Sequence, residues 1–474
     1  MEILKLSGTA IAQLIKDGEV SAVDVMEQAL NRADVVQANL NPFVTVDRSG
    51  ALNAAERCDR ILRKHPNDSF PSLFGVPFSV KDLLNTKGMR TTYGSRAFET
   101  HIPDEDVAAV SRFRAAGAIL IGKTTTPELA SKVLTDSELT GITRNPWNTA
   151  LTPGGSSGGA GVAAATGVGP FAISTDGGGS SRIPAAACGV LGMKVTIGAI
   201  PHESWPFHFG NNSSISINCR HPVDLVAMFN AMAGPHHLDP WSRRDIKPLE
   251  VPRENGNVLK GKKALFVTAM AGLQCDRELL KIVDRTLGEL RSCGLEVEHL
   301  TTDPMEFSPS IATQMMAANL AARVRAMRAE QQGLLGPVLR SLLAEDSFRP
   351  DGVRMQADAI SRSRLYDRLE DQLVNYDLIV TPTLNARAPL ADPNEDQRVM
   401  INGSREALTN WWSHLSIVNL TGHPAISIPC GTDEKGLPVG LHAISGWDCE
   451  QQLVDIAFAV SSVNDWTRRF PTIS

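Results

Sequence analysis

The chain has 474 residues, a net charge of −6 and an isoelectric point near 6.0, which counts against nucleic acid or an anionic membrane as its main partner. With 42% hydrophobic and 21% charged residues it can bury a large core, and no uninterrupted apolar run marks a membrane span. Its seven cysteines stand nowhere at C-x-x-C spacing, and the start MEILKLSGTAIAQLIKDG lacks a signal-like apolar core. A cytoplasmic protein without a metal site, redox pair or cofactor is expected.

The spacing of Ile11, Leu14 and Ile15, then Val23, Met26 and Leu30, predicts helix through residues 7–65. SLFGVPFSVKD (72–82) reads as a strand entering a polar segment, DVAAVSRFRAAGA (106–118) as helix and AILIG (118–122) as a short buried strand ending in a polar turn at Lys123. PFAIST (170–175) is a further strand. PVDLVAMFNAMA (222–233) is a helix closed by Gly234-Pro235, and KKALFVTAM (262–270) is a strand followed by a long helical region to about 375. DLIVTPT and PAISIP are late strands, and QQLVDIAFAVSSV closes the chain as a helix. Strands alternating with helices imply an α/β fold, expected as a single large domain over 1–474. Its central sheet would be mixed and mostly parallel, with helices covering both faces.

GAILIGKT (117–124) fits the phosphate-loop spelling G-x-x-x-x-G-K-[ST] and would suggest nucleotide hydrolysis. A phosphate loop, however, is a flexible turn between strand and helix. Here the variable positions Ala118, Ile119, Leu120 and Ile121 are the strand itself, and β-branched residues resist a curled loop. GGSSG (154–158) fits the G-x-S-x-G elbow of serine hydrolases. Its approach, NPWNTALTPGG, is polar and broken by proline, and neither His423 nor His442 has a distinctive setting.

Three segments are more specific together: GVPFSVKD (75–82), TPGGSSGGAGVAAA (152–165) and STDGGGSSRIPAAACGVLGMK (174–194), with Ser180 following Ser156 by 24 residues. In these motifs and this spacing the chain resembles the amidase signature family. GAILIGKTTTPELA, CRHPVDLVAMFNAMAGPHHLDP, TPTLNARAP and NLTGHPAISIPCG look like further landmarks of it. Residues 60–200 would then be the catalytic core, and about 240–375, where no landmark is found, a variable helical region that shapes the substrate pocket. The resemblance implies an amide hydrolase with Ser180 as nucleophile, Lys81 as base and Ser156 as the hydroxyl relaying the proton, with a cis peptide bond from Gly155 to Ser156.

The chemistry of these residues agrees. A serine hydroxyl needs a base, and a lysine serves when its amine is neutral. Lys81 ends an apolar strand, where desolvation lowers its pKa, and strand alternation turns Asp82 to the opposite face. Gly177, Gly178 and Gly179 lack Cβ atoms, so their N–H groups are candidates for an oxyanion hole. Asp176, Arg182 and Ser157 are assigned supporting roles, and Cys188, in AAACG, a place in the core.

The family often has threonine at 177, isoleucine or valine at 181, asparagine at 125 and proline at 195. Here these positions are Gly177, Ser181, Thr125 and Val195. The alternative within the family is the glutamine-hydrolysing subunit of a tRNA-dependent amidotransferase, which usually carries glutamine after the signature arginine. Ile183 stands there instead. The expected substrate is a small or medium aliphatic or aryl amide. Trp205, Phe207, Trp411 and Trp412 are candidates for lining an apolar site, and the Met- and Ala-rich face of IATQMMAANLAARVRAMRAEQQ is read as core. Homodimerisation is left open.

Overall fold

Ser7 caps the helix Gly8–Lys16 by accepting the Ala10 N–H, and Ser21 caps Ala22–Leu40 by accepting that of Asp24. In this computed structural model, which describes residues 3–203, 207–253, 258–344 and 351–473, the helical stretch expected through residue 65 is interrupted. Asn41 ends the second helix in the left-handed conformation, Pro42 follows, and Phe43–Val46 forms a strand before Asp47 caps the helix Arg48–Lys64. FVTV is β-branched and aromatic, a strand composition hidden between two amphipathic helices.

One eleven-stranded sheet organises the chain. Its strands in chain order are β1 (Phe43–Val46), β2 (Pro77–Lys81), β3 (Ile119–Thr124), β4 (Phe171–Asp176), β5 (Leu191–Lys194) and β6 (Ser214–Cys219). They continue as β7 (Lys263–Val267), β8 (Glu296–Leu300), β9 (Leu378–Pro382), β10 (Ala425–Thr432) and β11 (Pro438–Ile444). The spatial order is β1-β3-β2-β4-β6-β5-β10-β11-β9-β7-β8. The sheet is mixed, with parallel runs β3-β2-β4 and β9-β7-β8 joined through an antiparallel middle. Every residue of β2 to β6 is buried, so helices cover both faces there.

Two expectations are corrected. β3 runs through Lys123 to Thr124 instead of ending in a turn, and Lys123 is fully buried. The region 275–375 is not helical throughout. After the helix Arg277–Leu290, Gly294 (φ 92°) turns the chain into β8, whose EVEHL pattern beside β7 is that of a half-exposed edge strand. This region therefore supplies sheet as well as pocket wall. Among the described residues no helix is long and apolar enough to cross a membrane, and all seven cysteines are free.

Candidate active site

The parallel strands β2 and β4 pair side by side and deliver Lys81 and Asp176 at their carboxyl ends, the side on which α/β sheets carry their ligands. Lys81 is wholly buried, and its Nζ bonds the Ser156 Oγ at 2.7 Å, the Ser157 Oγ at 2.9 Å and the Thr175 Oγ1 at 2.9 Å. Burial lowers its pKa to about 7, with the Asp176 charge opposing. Asp82 faces away, accepting from Thr92 and standing 3.9 Å from Lys123 Nζ.

The three hydroxyls around Lys81 are not equivalent. Ser157 gives its own proton to the Thr175 carbonyl at 3.0 Å, so towards Lys81 it can only accept. When Lys81 is neutral, its lone pair can be met by the Ser156 or the Thr175 hydroxyl. An amine held near neutrality against the Ser156 hydroxyl can take that hydroxyl's proton.

The serine loop is held by close packing. A Cβ on Gly155 would stand 2.7 Å from the Val133 carbonyl carbon, and one on Gly159 would stand 2.4 Å from Thr125 N. The small residues of GGSSGGAG thus seat the helix Gly158–Thr166 against its neighbours. The peptide bond between Gly155 and Ser156 is cis.

Ser180 lies on the adjoining loop, and its carbonyl accepts from Ser157 N at 3.1 Å. Among the described residues no hydrogen bond joins the Ser180 and Ser156 hydroxyls; the backbone ties the two loops together. Ser180, Gly177 and Gly178 line a cavity of about 770 Å³. The N–H groups of Gly177 and Gly178 have no partner among the described residues, whereas Gly179 N–H donates to Asp176 Oδ1 at 2.7 Å. Gly179 therefore belongs to the scaffold of the loop in this structure, with φ +106° and Leu415 and Ile183 packed where a Cβ would go.

Asp176 is the hub of that scaffold. It accepts from Gly179 N and Ser181 N, from Arg182 Nε at 2.9 Å and Nη2 at 3.0 Å, and from Asn419 Nδ2 at 3.0 Å. Burial alone would raise its pKa, but the Arg182 charge and these bonds outweigh it and hold the carboxylate well below its usual range. Arg182 is fully buried and also bonds the Asn419 Oδ1 and the His442 Nε2. Burial and the Arg182 charge keep His442 neutral, so its Nε2 accepts and its proton sits on Nδ1. Cys188 is buried in the core, as expected, and burial raises its thiol pKa.

Both rival motifs dissolve. Gly122 lies inside β3, where a Cβ would stand 2.2 Å from Thr45 O, and Lys123 Nζ is committed to Leu84 O, Thr86 Oγ1 and Thr91 Oγ1. A phosphate at Lys123 would have to displace these buried partners on the loop after β2. No strand runs into Ser156 either, and its partner is a lysine. Sequence reasoning misses Thr175 and Asn419. Thr175 is legible as the residue before Asp176 on a buried strand; Asn419 lies too far along the chain to be linked by spacing.

The cavity wall is largely apolar, with Val133, Phe207, Met316, Leu320, Leu408 and Trp412 among its residues, and carries the cations Lys132 and Arg323. Trp411 does not contribute: it is buried, and its indole N–H donates to Ala386 O at 3.0 Å. Trp205 lies outside the described residues. The Met- and Ala-rich face expected in the core instead presents Met316, Ala317 and Leu320 to the cavity. Among the described residues no cluster of His, Cys, Asp and Glu is placed to hold a metal ion.

A buried lysine among serines beside a glycine loop is an arrangement able to cleave an amide, and comparison with known proteins places the chain among amide hydrolases. The Amidase family model matches residues 24–454, so the chain belongs to that family. It is 31% identical to an acylamidase of Rhodococcus erythropolis over 474 residues, covering 99% of this chain and 98% of the relative. It is 30% identical to a glutamyl-tRNA(Gln) amidotransferase subunit of Symbiobacterium thermophilum, covering 99% of each chain. In fold it superposes on a bacterial aryl acylamidase of the amidase signature family with a TM-score of 0.89, at 24% identity, over 98% of this chain and 97% of that one.

Proposed function

We propose that this amide hydrolase works through Ser180, Ser156 and Lys81, forming an acyl-enzyme from a small or medium aliphatic or aryl amide. The observation that carries the reading is the Lys81 Nζ, with a pKa of about 7, placed 2.7 Å from the Ser156 Oγ. Neutral Lys81 takes the Ser156 proton while Ser156 takes that of Ser180. The Ser180 Oγ bonds to the carbonyl carbon, and the N–H groups of Gly177 and Gly178 meet the oxyanion, each donor worth roughly 10²–10³ in kcat. As the carbon–nitrogen bond breaks, the amine takes a proton from Ser156, which regains one from the Lys81 ammonium. Water then cleaves the ester by the same relay. An apolar cavity of about 770 Å³ suits an acyl or aryl group of that size.

The relatives named as amidotransferase subunits support a second reading, glutamine hydrolysis in a complex. Against it stands Ile183, buried among Ala186, Trp411 and Leu415 at the position where such subunits usually carry glutamine. Labelling with a fluorophosphonate, read by intact mass, tests the first reading. The adduct is expected on wild type and absent from Ser180→Ala, and an adduct that persists in Ser180→Ala sinks the assignment. Glutaminase activity that depends on a co-purifying protein would favour the second reading.

A further inference from the structure

We propose that Arg323 selects amides carrying a carboxylate remote from the scissile bond; this deepens the amide-hydrolase reading above and rests on it. The helix Ser310–Arg325 lays Thr313, Met316, Ala317, Leu320 and Arg323 along the cavity, at the spacing of a single helical face. One end of that face is fixed at the glycine loop, since a Cβ on Gly178 would stand 3.1 Å from Met316 Sδ. Arg323 comes two turns later, roughly 10 Å further along the axis.

Among the described residues its surroundings lack a counter-charge. Other inward-turned arginines among the described residues are partnered: Arg182 by Asp176, Arg112 by the carbonyls of residues 232–235, Arg220 by those of Arg469 and Trp466, and Arg362 by Asn211 and Leu420. Arg323 is half-buried and makes no hydrogen bond or ion pair among the described residues. Tyr93 faces it, but burial, followed by Asp82, raises that phenol to about 12, so it is neutral. No Asp or Glu is among the described residues lining the cavity, and the other cation there, Lys132, is matched by Asp136.

A partly desolvated guanidinium without an anion is costly, and its fork matches a carboxylate through two parallel hydrogen bonds. The ligand that fits is an amide with its reactive carbonyl at Gly178 and Ser180, an apolar spacer along Met316 and Leu320, and a carboxylate at Arg323.

The test uses two series, mono-p-nitroanilides of α,ω-dicarboxylic acids of roughly five to eight carbons and N-butyryl ω-amino acids, which put the carboxylate on the acyl or the amine side. Each compound is paired with its neutral analogue. Wild type should favour the acid in at least one series. Arg323→Gln should cut that preference by roughly 10–100-fold, and Arg323→Lys should restore part of it. A preference that is absent, or unchanged in Arg323→Gln, in both series overturns the proposal. Calorimetric binding to Ser180→Ala, with and without Arg323→Gln, reads the carboxylate contact without turnover. If no compound is hydrolysed, the substrate range proposed above fails, and the affinity ratio still decides the role of Arg323.

Discussion

Lys81 and Asp176 end neighbouring parallel strands, yet the carboxylate does not hold the lysine charged: burial of the amine outweighs it, and Arg182 occupies both carboxylate oxygens. Burial lowers the lysine pKa and the Asp176 field raises it, and burial wins, leaving a value of about 7. The ion pair Arg182–Asp176 therefore does two things. It shapes the glycine loop through Gly179 and Ser181, and it leaves both Asp176 oxygens bonded to Arg182 with none bonded to Lys81.

The pH dependence of the reaction follows. The base must be neutral, so kcat/KM is expected to rise with pH, with a single-proton limb near 7, and to level off above it. The stability term has its own sign. A lysine whose folded pKa lies below its unfolded value of about 10.4 binds more protons when unfolded, so its burial costs stability below pH 7, and the cost fades as pH rises towards 10. A pH profile of kcat/KM with a small amide anilide checks the first point; a flat profile from pH 5 to 9 would remove Lys81 as the base.

Ser156→Ala should separate relay from scaffold. Lys81 keeps Ser157 and Thr175 as partners, so the buried amine stays satisfied and the thermal midpoint should hardly move. Loss of a proton relay should lower kcat by roughly 10²–10⁴. Ser157→Ala should do the reverse: it strips the Thr175 carbonyl and Lys81 of a partner, costing about 1–3 kcal/mol. Steady-state kinetics beside urea unfolding reads both. Equal kinetic losses in the two variants would mean that Ser156 is structural.

Much of this site can be read from residue types at fixed spacing. Lys81 at the end of an apolar strand, and a glycine run after another, put backbone amides and a desolvated amine where the sheet ends. The exceptions have physical causes. β1 escapes notice because four residues between two amphipathic helices give too short a period, and β8 because an exposed edge strand carries no apolar run. Lys123 reads as a turn because lysines seldom lie inside strands, but three oxygen partners and Asp82 make its burial tolerable. The helix Ser310–Arg325 reads as core because cavity walls and cores share a composition; only the fold decides which face meets empty space.

The Arg182–Asp176 pair should dominate acid stability. Arg182→Gln leaves a buried carboxylate without its cation, and loss of one partner of such a pair costs about 3–5 kcal/mol. Asp176 has a depressed pKa, so its contribution is present above the unfolded carboxylate value of about 3.9 and is lost as pH falls below that towards the folded value. Urea midpoints at pH 7 and pH 3 check this. Wild type should lose stability over that interval, and Asp176→Asn, already destabilised at pH 7, should lose less.

Lys123 tests the phosphate-loop spelling directly. Its ammonium is bound by Leu84 O, Thr86 and Thr91, with Asp82 at 3.9 Å and a pKa lowered by burial to about 8. Lys123→Met would leave Asp82 and the Leu84 carbonyl without a partner charge, so a loss of about 3–5 kcal/mol is expected. Mg·ATP should not raise the thermal midpoint of the wild-type protein, because the strand Ile119–Thr124 presents no curled row of N–H groups to an anion. Thermal melts with and without millimolar Mg·ATP decide the matter. A nucleotide-dependent rise in wild type that vanished in Lys123→Met would restore nucleotide binding, whereas a lower midpoint in the variant with no response to nucleotide in either protein fixes Lys123 as a buried strut of the sheet.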